Sequence, residues 1–547
     1  MATQIDVGRP LDVGRGWLAV PLWRRWGLFR SADLRLDTDL LLWALIPALT
    51  FVAVAWVTVI WLALDRAPLF YDPVDHVSLA IDFVNNPVEY LSREHMWYPP
   101  FVHVLLGSAL AATGYDLDSA IAMVNLAFFA VLLAATFAIG AELWSPRVGA
   151  VAALLLAFYP ATFVHLRFPM LDLPLAAMVA ASMFALIRSR SFQDRRWSVA
   201  FGVVAGLGCL TKQSYVFAMA LPVLYAVFTT PRRRQTFANL ALAGLLAVLI
   251  ALPWYAPRLG WFLGPWANEQ SQVAKTEHDP ETFTLFGLLY YVIGTWHQTS
   301  FFFALLWLLT VPFFLRSERR VLVMLWWVGA VGLVSLLVNK DGRYLMPVLP
   351  AIALMTAAGL CRLPRSSAAV AAVAAFGAVQ LWAVSFGVSW LPEGSPVKNG
   401  VRPNESVQPF AQNYLLVSAD RSQPDPSGWG VADGLADLRG YVGVVGDKII
   451  YDAARLPHLL RAQETGYRVT SFARVGCQDP SQLQVFDFVV VQVGGPGSLA
   501  DPVEYDRCTA GLREVGRIPV ATRHLLKGVS YLAVFRPVDA SSAASPP

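Results

Sequence analysis

The chain has 547 residues, of which 56% are hydrophobic and 15% are charged. Soluble domains carry about 25% charged residues, so this composition excludes a purely soluble protein. The formal net charge of +4 is small and no basic tract is interleaved with aromatic residues, which gives no support to nucleic-acid binding.

Residues 1–39 precede the first apolar segment and are polar and rich in arginine. They contain no short apolar region followed by a small-residue cleavage site, so we predict no removable signal peptide. We expect these residues to form a cytoplasmic N-terminal segment. Within it, residues 17–28 form either an amphipathic interfacial helix or part of an unstructured basic tail.

Residues 40–64 contain no charge and are long enough to cross a bilayer as a helix. Ten further apolar windows follow, at about 119–139, 149–166, 171–187, 198–210, 214–229, 237–255, 298–315, 321–338, 344–360 and 367–388. With a cytoplasmic N-terminus, the later inner loops are rich in arginine, as the positive-inside rule requires: 188–197, 231–235, 316–320 and 362–367. We therefore predict a mainly α, polytopic membrane protein with about eleven transmembrane helices over residues 40–390.

The composition changes at about residue 391, after which Pro, Gly, Asp and Arg increase. A helical pattern at 451–463 alternates with short β-rich runs at 414–418, 441–445, 488–493 and 530–536. This predicts a small extracytoplasmic α/β C-terminal domain over 391–539, followed by a disordered tail at 540–547. Cys477 and Cys508 fall in this domain and either form a disulfide or remain free thiols, since sequence does not fix their distance.

Ionisable residues of the membrane half collect in the predicted outer loops, the first of which spans 65–118. They are Asp72, Asp75, Arg167, Asp172, Lys212 and Arg343, the last followed by Tyr344. Cations on the outer side oppose the positive-inside rule, so they require a separate cause. A bound phosphate would explain these cations, because the guanidinium of arginine can donate two hydrogen bonds to it. A carboxylate nearby suits general-base catalysis.

Four of these six residues also have a structural interpretation. Asp75 and Asp172 are suited to cap helices, Lys212 to extend towards the interface, and Arg343 to pair with Asp341 within its loop. Four such elements on one membrane face favour an anionic-ligand site over four separate structural roles.

These motifs resemble those of the GT-C glycosyltransferases, in the branch of the protein O-mannosyltransferases and lipid A aminoarabinose transferases. The similarity covers about residues 40–390. It rests on short elements in a common order: Asp75-His76-Val-Ser-Leu79-Ala80, Tyr98-Pro-Pro-Phe101, Met170-Leu-Asp172-Leu-Pro-Leu-Ala, Gly206-Leu-Gly-Cys-Leu-Thr-Lys212 and Arg343-Tyr-Leu-Met-Pro-Val-Leu-Pro350. Two positions depart from the pattern. His76 replaces the second acidic residue of the first motif, and Tyr98 stands where some relatives carry lysine.

The resemblance implies transfer of a sugar from a polyprenyl-phosphate donor to a lipid, glycan or protein acceptor at the outer membrane face. Asp75, or alternatively Asp72, would be the general base of an inverting reaction, with Asp172 shaping the site. The donor phosphate would be held by Lys212, Arg343, Arg167 and Tyr344. Relatives imply no required cofactor and no catalytic metal.

Three other functions remain open from the sequence. A lipid-carrier or oligosaccharide transporter would also have many spans, although transporters place charges deep within paired helices. A non-catalytic membrane scaffold would tolerate Asn at position 75, which an enzyme would not. An oligosaccharyltransferase would use a lipid diphosphate and a metal, and would need more carboxylate ligands.

Overall fold

The computed structural model describes residues 38–386 apart from 95, 97, 232 and 277–278. Beyond residue 386 it describes 424, 434, 438, 441–446, 451–452, 455–456, 459–460, 468–471, 483, 486–494, 502–520 and 529–538. Four predicted features lie outside the described residues: the N-terminal segment to residue 37, the strand 414–418, Cys477 and the tail 540–547.

The membrane half is almost entirely helical. Its helices are α1 (Thr38–Leu64), α2 (Asp72–Asn85), α3 (Pro87–Ser92), α4 (Phe101–Ala112), α5 (Leu117–Leu143), α6 (Pro146–Phe158), α7 (Pro160–His165), α8 (Asp172–Arg188) and α9 (Arg195–Thr211). They continue with α10 (Tyr215–Thr229), α11 (Arg234–Tyr255), α12 (Leu259–Phe262), α13 (Pro265–Thr276), α14 (Leu285–Thr299), α15 (Phe301–Phe314), α16 (Val321–Ser335), α17 (Leu349–Leu360) and α18 (Ser366–Phe386). Short 3₁₀ helices at Ala256–Arg258 and Gly342–Val348 precede α12 and α17.

Local sequence explains several of these boundaries. Ser145 caps α6 by accepting a hydrogen bond from the Val148 N–H at 3.3 Å, with proline at the next position. Asp194 caps α9 in the same way, accepting from the Trp197 N–H at 3.1 Å. Ser300 has φ 76°, which no helix tolerates, and it separates α14 from α15 at a bend of 118°.

Among the described helices, five are long and apolar enough to cross a membrane, or six if the bent pair α14–α15 counts as one span. Helices overlap all eleven predicted windows, but several of these helices are shorter than the roughly 20 residues that a perpendicular span requires. The structure therefore confirms a mainly helical, polytopic membrane fold. The number eleven stays a prediction.

The centre of the helical bundle is formed by α5, α6, α8 and α17, and every residue from 148 to 158 on α6 is buried. A close approach of α5 and α6 depends on glycine: a Cβ at Gly149 would lie 2.2 Å from the carbonyl oxygen of Phe137. Helix α8 is buried along nearly its whole length, so its first residue is fixed at one end of the bundle and its last at the other.

The terminal region contains a five-stranded sheet in the order β2-β1-β3-β5-β4. Its strands are β1 (Tyr441–Val445), β2 (Arg468–Ser471), β3 (Phe488–Gly494), β4 (Leu512–Pro519) and β5 (Val529–Pro537), with helix α19 (Pro502–Thr509) between β3 and β4. β1 pairs in parallel with β2 and β3, whereas β5 is antiparallel to both β3 and β4. Three of the predicted strands are therefore present.

Within the predicted helix 451–463, the described residues are helical. Cys508 is disulfide-bonded, and its predicted partner Cys477 lies outside the described residues. Cys209 and Cys361, in the membrane half, are free cysteines.

Candidate active site

The first segment of the candidate site is the N-terminus of α2. Asp72 and Asp75 both lie in its first turn, where the helix dipole favours carboxylates, and Pro73 suits the first helical positions. Asp72 Oδ2 lies 2.6 Å from Arg343 Nη2. Burial alone would raise the pKa of Asp72, but the charge and hydrogen bond of Arg343 and the charge of Lys212 lower it to about 2. Asp72 is therefore ionised at neutral pH.

The second segment is the 3₁₀ helix Gly342–Val348, which carries Arg343. Asp341 caps this helix: its Oδ1 accepts a hydrogen bond from the Arg343 backbone N–H at 3.0 Å, and its Oδ2 pairs with Arg343 Nε. The backbone N–H of Asp341 donates to Tyr291 Oη at 3.2 Å, which ties the loop to α14. The guanidinium of Arg343 thus bridges two carboxylates from different parts of the chain.

The third and fourth segments bring Asp172 and Lys212 together. Asp172 is the first residue of α8, Lys212 directly follows α9, and Lys212 Nζ lies 2.6 Å from Asp172 Oδ1. The Asp172 side chain is 1% exposed. Its other oxygen, Oδ2, is buried and makes no hydrogen bond with any residue that the structure describes.

The two ion pairs are neighbours. Lys212 Nζ lies 4.9 Å from the centroid of the Tyr344 ring, and Arg343 Nη1 lies 3.9 Å from Met170 Sδ. Together they hold three carboxylates against two cations, a formal charge of −1. In the structure each of these two cations has an acidic partner, so any anionic ligand would have to compete with a carboxylate for them.

A buried hydrogen-bonded chain lies behind Asp72. His76 Nδ1 is 3.0 Å from His103 Nε2, and His103 Nδ1 is 2.9 Å from Tyr90 Oη. The ring of Tyr98 packs edge-on against His76, with 4.5 Å between the centroids. Burial and the neighbouring His103 hold the pKa of His76 well below its usual value, and burial lowers the pKa of His103 to about 3. His76 is 2% exposed and therefore does not face solvent.

The structure places the remaining predicted residues at different distances from this cluster. Asp75 is 37% exposed, and its Oδ1 lies 3.6 Å from Arg455 Nη1 in the terminal region. Arg167 is 1% exposed and donates to Ser385 Oγ, with its guanidinium 4.9 Å from the Trp61 ring. These contacts do not join Arg167 to Lys212 or Arg343, so its role with a phosphate stays a prediction.

Sequence reasoning missed His103, Tyr90 and Tyr291. His103 is a single histidine in an apolar helix, which more often indicates a core residue than a functional one, and nothing local links it to His76. The pairing of Arg343 with Asp341 was considered as a structural alternative. It is present, together with the second pairing to Asp72.

No group of three or more His, Cys, Asp or Glu side chains in the described part of the chain could hold a metal ion. The carboxylates of the cluster are instead paired with arginine and lysine. The expectation that this protein needs no catalytic metal and no cofactor is not tested by this arrangement.

Comparisons with known proteins agree with this architecture. A family model described as dolichyl-phosphate-mannose-protein mannosyltransferase matches residues 98–261. The structure of ArnT from Cupriavidus metallidurans bound to undecaprenyl phosphate has a TM-score of 0.58 at 16% identity, covering 91% of this chain and 99% of that one. The apo structure of ArnT from the same organism gives a TM-score of 0.57 at 17% identity, with the same coverage. No curated protein matches the sequence. The family model confirms the predicted resemblance to protein mannosyltransferases over residues 98–261. The ArnT structures, at 16% and 17% identity, confirm the fold.

Proposed function

We propose that this protein is a membrane glycosyltransferase that moves a sugar from a polyprenyl-phosphate donor to an acceptor at the extracytoplasmic face, with inversion. The observation that carries the proposal is the convergence of Asp72, Asp172, Lys212 and Arg343 from four segments at one end of the bundle. The ArnT structure of the same fold was solved with undecaprenyl phosphate, the lipid phosphate that such a donor would leave behind. About eleven spans, with the C-terminal domain outside the cytoplasm, belong to this proposal.

In the proposed reaction an acceptor oxygen attacks the anomeric carbon of the donor. The bond from that carbon to the phosphate oxygen breaks, and the lipid phosphate leaves with both electrons. Arg343 and Lys212 stabilise the charge that develops on the leaving phosphate. Preplaced charges of this kind are usually the largest electrostatic contribution to catalysis.

Asp75 is proposed as the general base that takes the proton from the acceptor hydroxyl. It lies one helical turn after Asp72 and has a more accessible side chain, 37% exposed against 27%. Asp72 is engaged by Arg343, and its pKa, lowered to about 2 mainly by Arg343 against the effect of burial, makes it a weak proton acceptor. Asp72 would instead orient Arg343.

A lipid phosphate would compete with Asp72 for Arg343. Of the three carboxylates in the cluster, Asp72 is the most exposed, at 27% against 5% for Asp341 and 1% for Asp172. It is therefore the partner that a donor can replace at the least cost. If Asp72 rather than Asp75 is the general base, this replacement frees the Asp72 carboxylate to accept the proton.

Asp172 and Tyr344 would support the donor site indirectly. Asp172 fixes the ammonium group of Lys212, and the Tyr344 ring faces the same group at 4.9 Å. Arg167 would contribute only if donor binding changed its present contacts with Ser385 and Trp61. No metal is expected in the reaction, because the family that the motifs resemble generally requires none.

Sugar release from radiolabelled polyprenyl-phosphate hexoses and pentoses by the purified, detergent-solubilised protein tests the proposal. Wild type should consume one of these donors, and Asp75→Asn should reduce the rate by about 10²- to 10⁴-fold while donor binding is retained. Asp82→Asn is the matched control. Asp82 lies on the same helix and pairs with the partly exposed Arg93 at 2.6 Å.

The outcomes separate the alternatives. Normal turnover by Asp75→Asn with loss in Asp72→Asn would make Asp72 the base. Failure of wild type to consume or bind any lipid-linked sugar would contradict the transferase. Transport of the lipid without release of its sugar would favour a lipid-carrier transporter. A protein that transfers no sugar and folds equally well with Asn at position 75 would favour a scaffold.

A further inference from the structure

The terminal region reaches the first segment of the candidate site. The backbone N–H of Tyr71, the residue before α2, donates a hydrogen bond to Asp452 Oδ2 at 2.7 Å. Asp452 is fully buried whereas Tyr71 is 38% exposed, so this hydrogen bond is partly buried. A hydrogen bond to a charged acceptor in such a place is stronger than one between neutral groups.

Tyr71 has a backbone conformation that needs support. Its φ of 58° and ψ of −138° are rare for a residue with a side chain, and its side chain makes no capping hydrogen bond to α2. Residues in sparsely populated conformations are strained and persist only where the surroundings fix them. Asp452 is positioned to provide that support, because it binds the N–H at the point where the chain turns into α2.

Arg455 follows Asp452 by three residues in a helical part of the chain, so the two side chains lie on the same face. Arg455 Nη1 lies 3.6 Å from Asp75 Oδ1. The two terminal residues therefore contact the backbone N–H of Tyr71, just before α2, and the proposed base Asp75, four residues later.

Apolar packing holds the two regions together around these polar contacts. Leu456, next to Arg455, and Val442 on β1 belong to the same buried cluster as Leu69 and Phe70, which lead into α2. The polar contacts thus join two regions that also share buried apolar packing.

We infer that Asp452 and Arg455 are positioning residues of the transferase site, through which the terminal domain fixes the start of α2 and the carboxylate of Asp75. This inference rests on the proposed function for its catalytic consequence. The inference gives the terminal domain a role, since without this domain the first turn of α2 and the base Asp75 would lose their fixed geometry. Arg455 acts through Asp75 and takes no part in the bond changes.

The experiment compares Asp452→Ala, Asp452→Asn, Arg455→Ala and Arg455→Lys in the full-length protein. Donor consumption gives kcat and KM, and hydrogen exchange of peptides covering residues 69–85 reports the order of α2 without requiring activity. Arg517→Ala is the matched control, since Arg517 pairs with Glu514 on β4 within the same terminal domain.

We expect both alanine variants to lower kcat by roughly 10- to 100-fold with little change in donor KM, the order of loss for a misplaced catalytic group. Asp452→Asn and Arg455→Lys should recover most of the rate, because each keeps its polar contact. In the Asp75→Asn background, Arg455→Ala should cause no further loss, as residues that act through one another are not additive. Asp452→Ala should also speed exchange at the start of α2.

Unchanged exchange in Asp452→Ala would overturn the inference, whatever the activity. So would a kcat in Arg455→Ala equal to that of Arg517→Ala, or a full additional loss in the Asp75→Asn background. A wild type that consumes no donor speaks against the proposed function alone, because the exchange measurement still decides whether the terminal domain orders α2.

Discussion

The two ends of the helical bundle use arginine in different ways. Helix α8 connects them, since it begins at Asp172 and ends at Arg188. At the first end, Arg343 and Lys212 are 10% and 12% exposed and are bound by carboxylates that begin or precede helices. At the second end, Arg319 and Arg362 donate to the carbonyl oxygens of Leu143 and Phe313, at or near the C-termini of α5 and α15.

The difference shows which cations have a structural explanation. Arginines at helix C-termini satisfy carbonyls that have no partner in the helix, and they favour the negative end of the helix dipole. Their sequence context also follows the positive-inside rule. Arg343 satisfies neither condition, and Lys212, although it follows the C-terminus of α9, pairs with Asp172 rather than with a helix carbonyl. Both cations are buried beside acids, an arrangement that costs desolvation and that a binding site explains better than stability does.

Among the variants that compare the two ends of the bundle, the largest effect is expected at Arg343. Arg343→Ala should lower the rate of sugar transfer by about 10²- to 10³-fold, because one preplaced charge at the leaving phosphate is lost. Lipid-phosphate binding should weaken as well, and both are measured with the radiolabelled donor. Arg343→Lys restores the charge without the fork and should recover only part of the rate. Equal rates in wild type and Arg343→Ala would remove the proposed phosphate site.

The Asp172–Lys212 pair should matter next, through stability. Lys212→Met leaves Asp172, 1% exposed, as an uncompensated buried charge, which should lower the free energy of unfolding by about 3 kcal/mol. The double variant Asp172→Asn with Lys212→Met should recover most of this stability but not the activity. Thermal unfolding in detergent measures the first effect, and donor consumption measures the second. Equal stability of the single and double variants would contradict the burial argument.

Much of the fold was predictable because a segment that crosses a membrane must be apolar and helical. Every apolar window overlaps at least one helix in the structure, since backbone polar groups in lipid must be satisfied within a helix. The strands at 441–445, 488–493 and 530–536 were visible as β-rich runs. Strand β4 was missed because its solvent-exposed sequence, Leu-Arg-Glu-Val-Gly-Arg-Ile-Pro, contains glycine and proline and lacks an apolar run.

The site was only partly predictable, for a physical reason. Asp72, Asp172, Lys212 and Arg343 were recognisable because charges at helix ends in a membrane protein are costly and stand out. Their partners were not, since pairing depends on which loops meet in space. The contact between Asp75 and Arg455 joins residues 380 positions apart in a region of ordinary composition, and the His76–His103 pair depends on the packing of α2 against α4.

A smaller, pH-dependent effect is expected from the buried histidines. Burial lowers the pKa of His103 from 6.5 to about 3, so between these values the unfolded chain binds a proton that the folded protein does not. Stability is therefore complete above about pH 6.5 and falls as the pH decreases towards 3. His103→Gln should make this decrease shallower in thermal unfolding measured across that range.

The control for this prediction is Tyr90→Phe, which removes the hydrogen bond to His103 Nδ1 but no group that titrates in this range. It should lower stability at all pH values and leave the slope unchanged. His76, which faces His103, Tyr98 and Asp72, has its pKa shifted in the same direction by burial and retains part of the slope in His103→Gln. A slope in His103→Gln equal to that of wild type would mean that other groups cause the acid sensitivity.

The smallest effect is expected at the opposite end of α8, and it tests the comparison most directly. Arg188 pairs with Glu142 at 3.0 Å, but both side chains are about one-fifth exposed, so water can replace the lost partner. Arg188→Ala should change the free energy of unfolding by no more than about 1 kcal/mol and leave donor consumption close to that of wild type. Arg188 and Arg343 are the same residue type in one bundle, so the two alanine variants form a matched pair. If Arg188→Ala lost as much activity as Arg343→Ala, burial beside carboxylates would not distinguish functional from structural arginines in this protein.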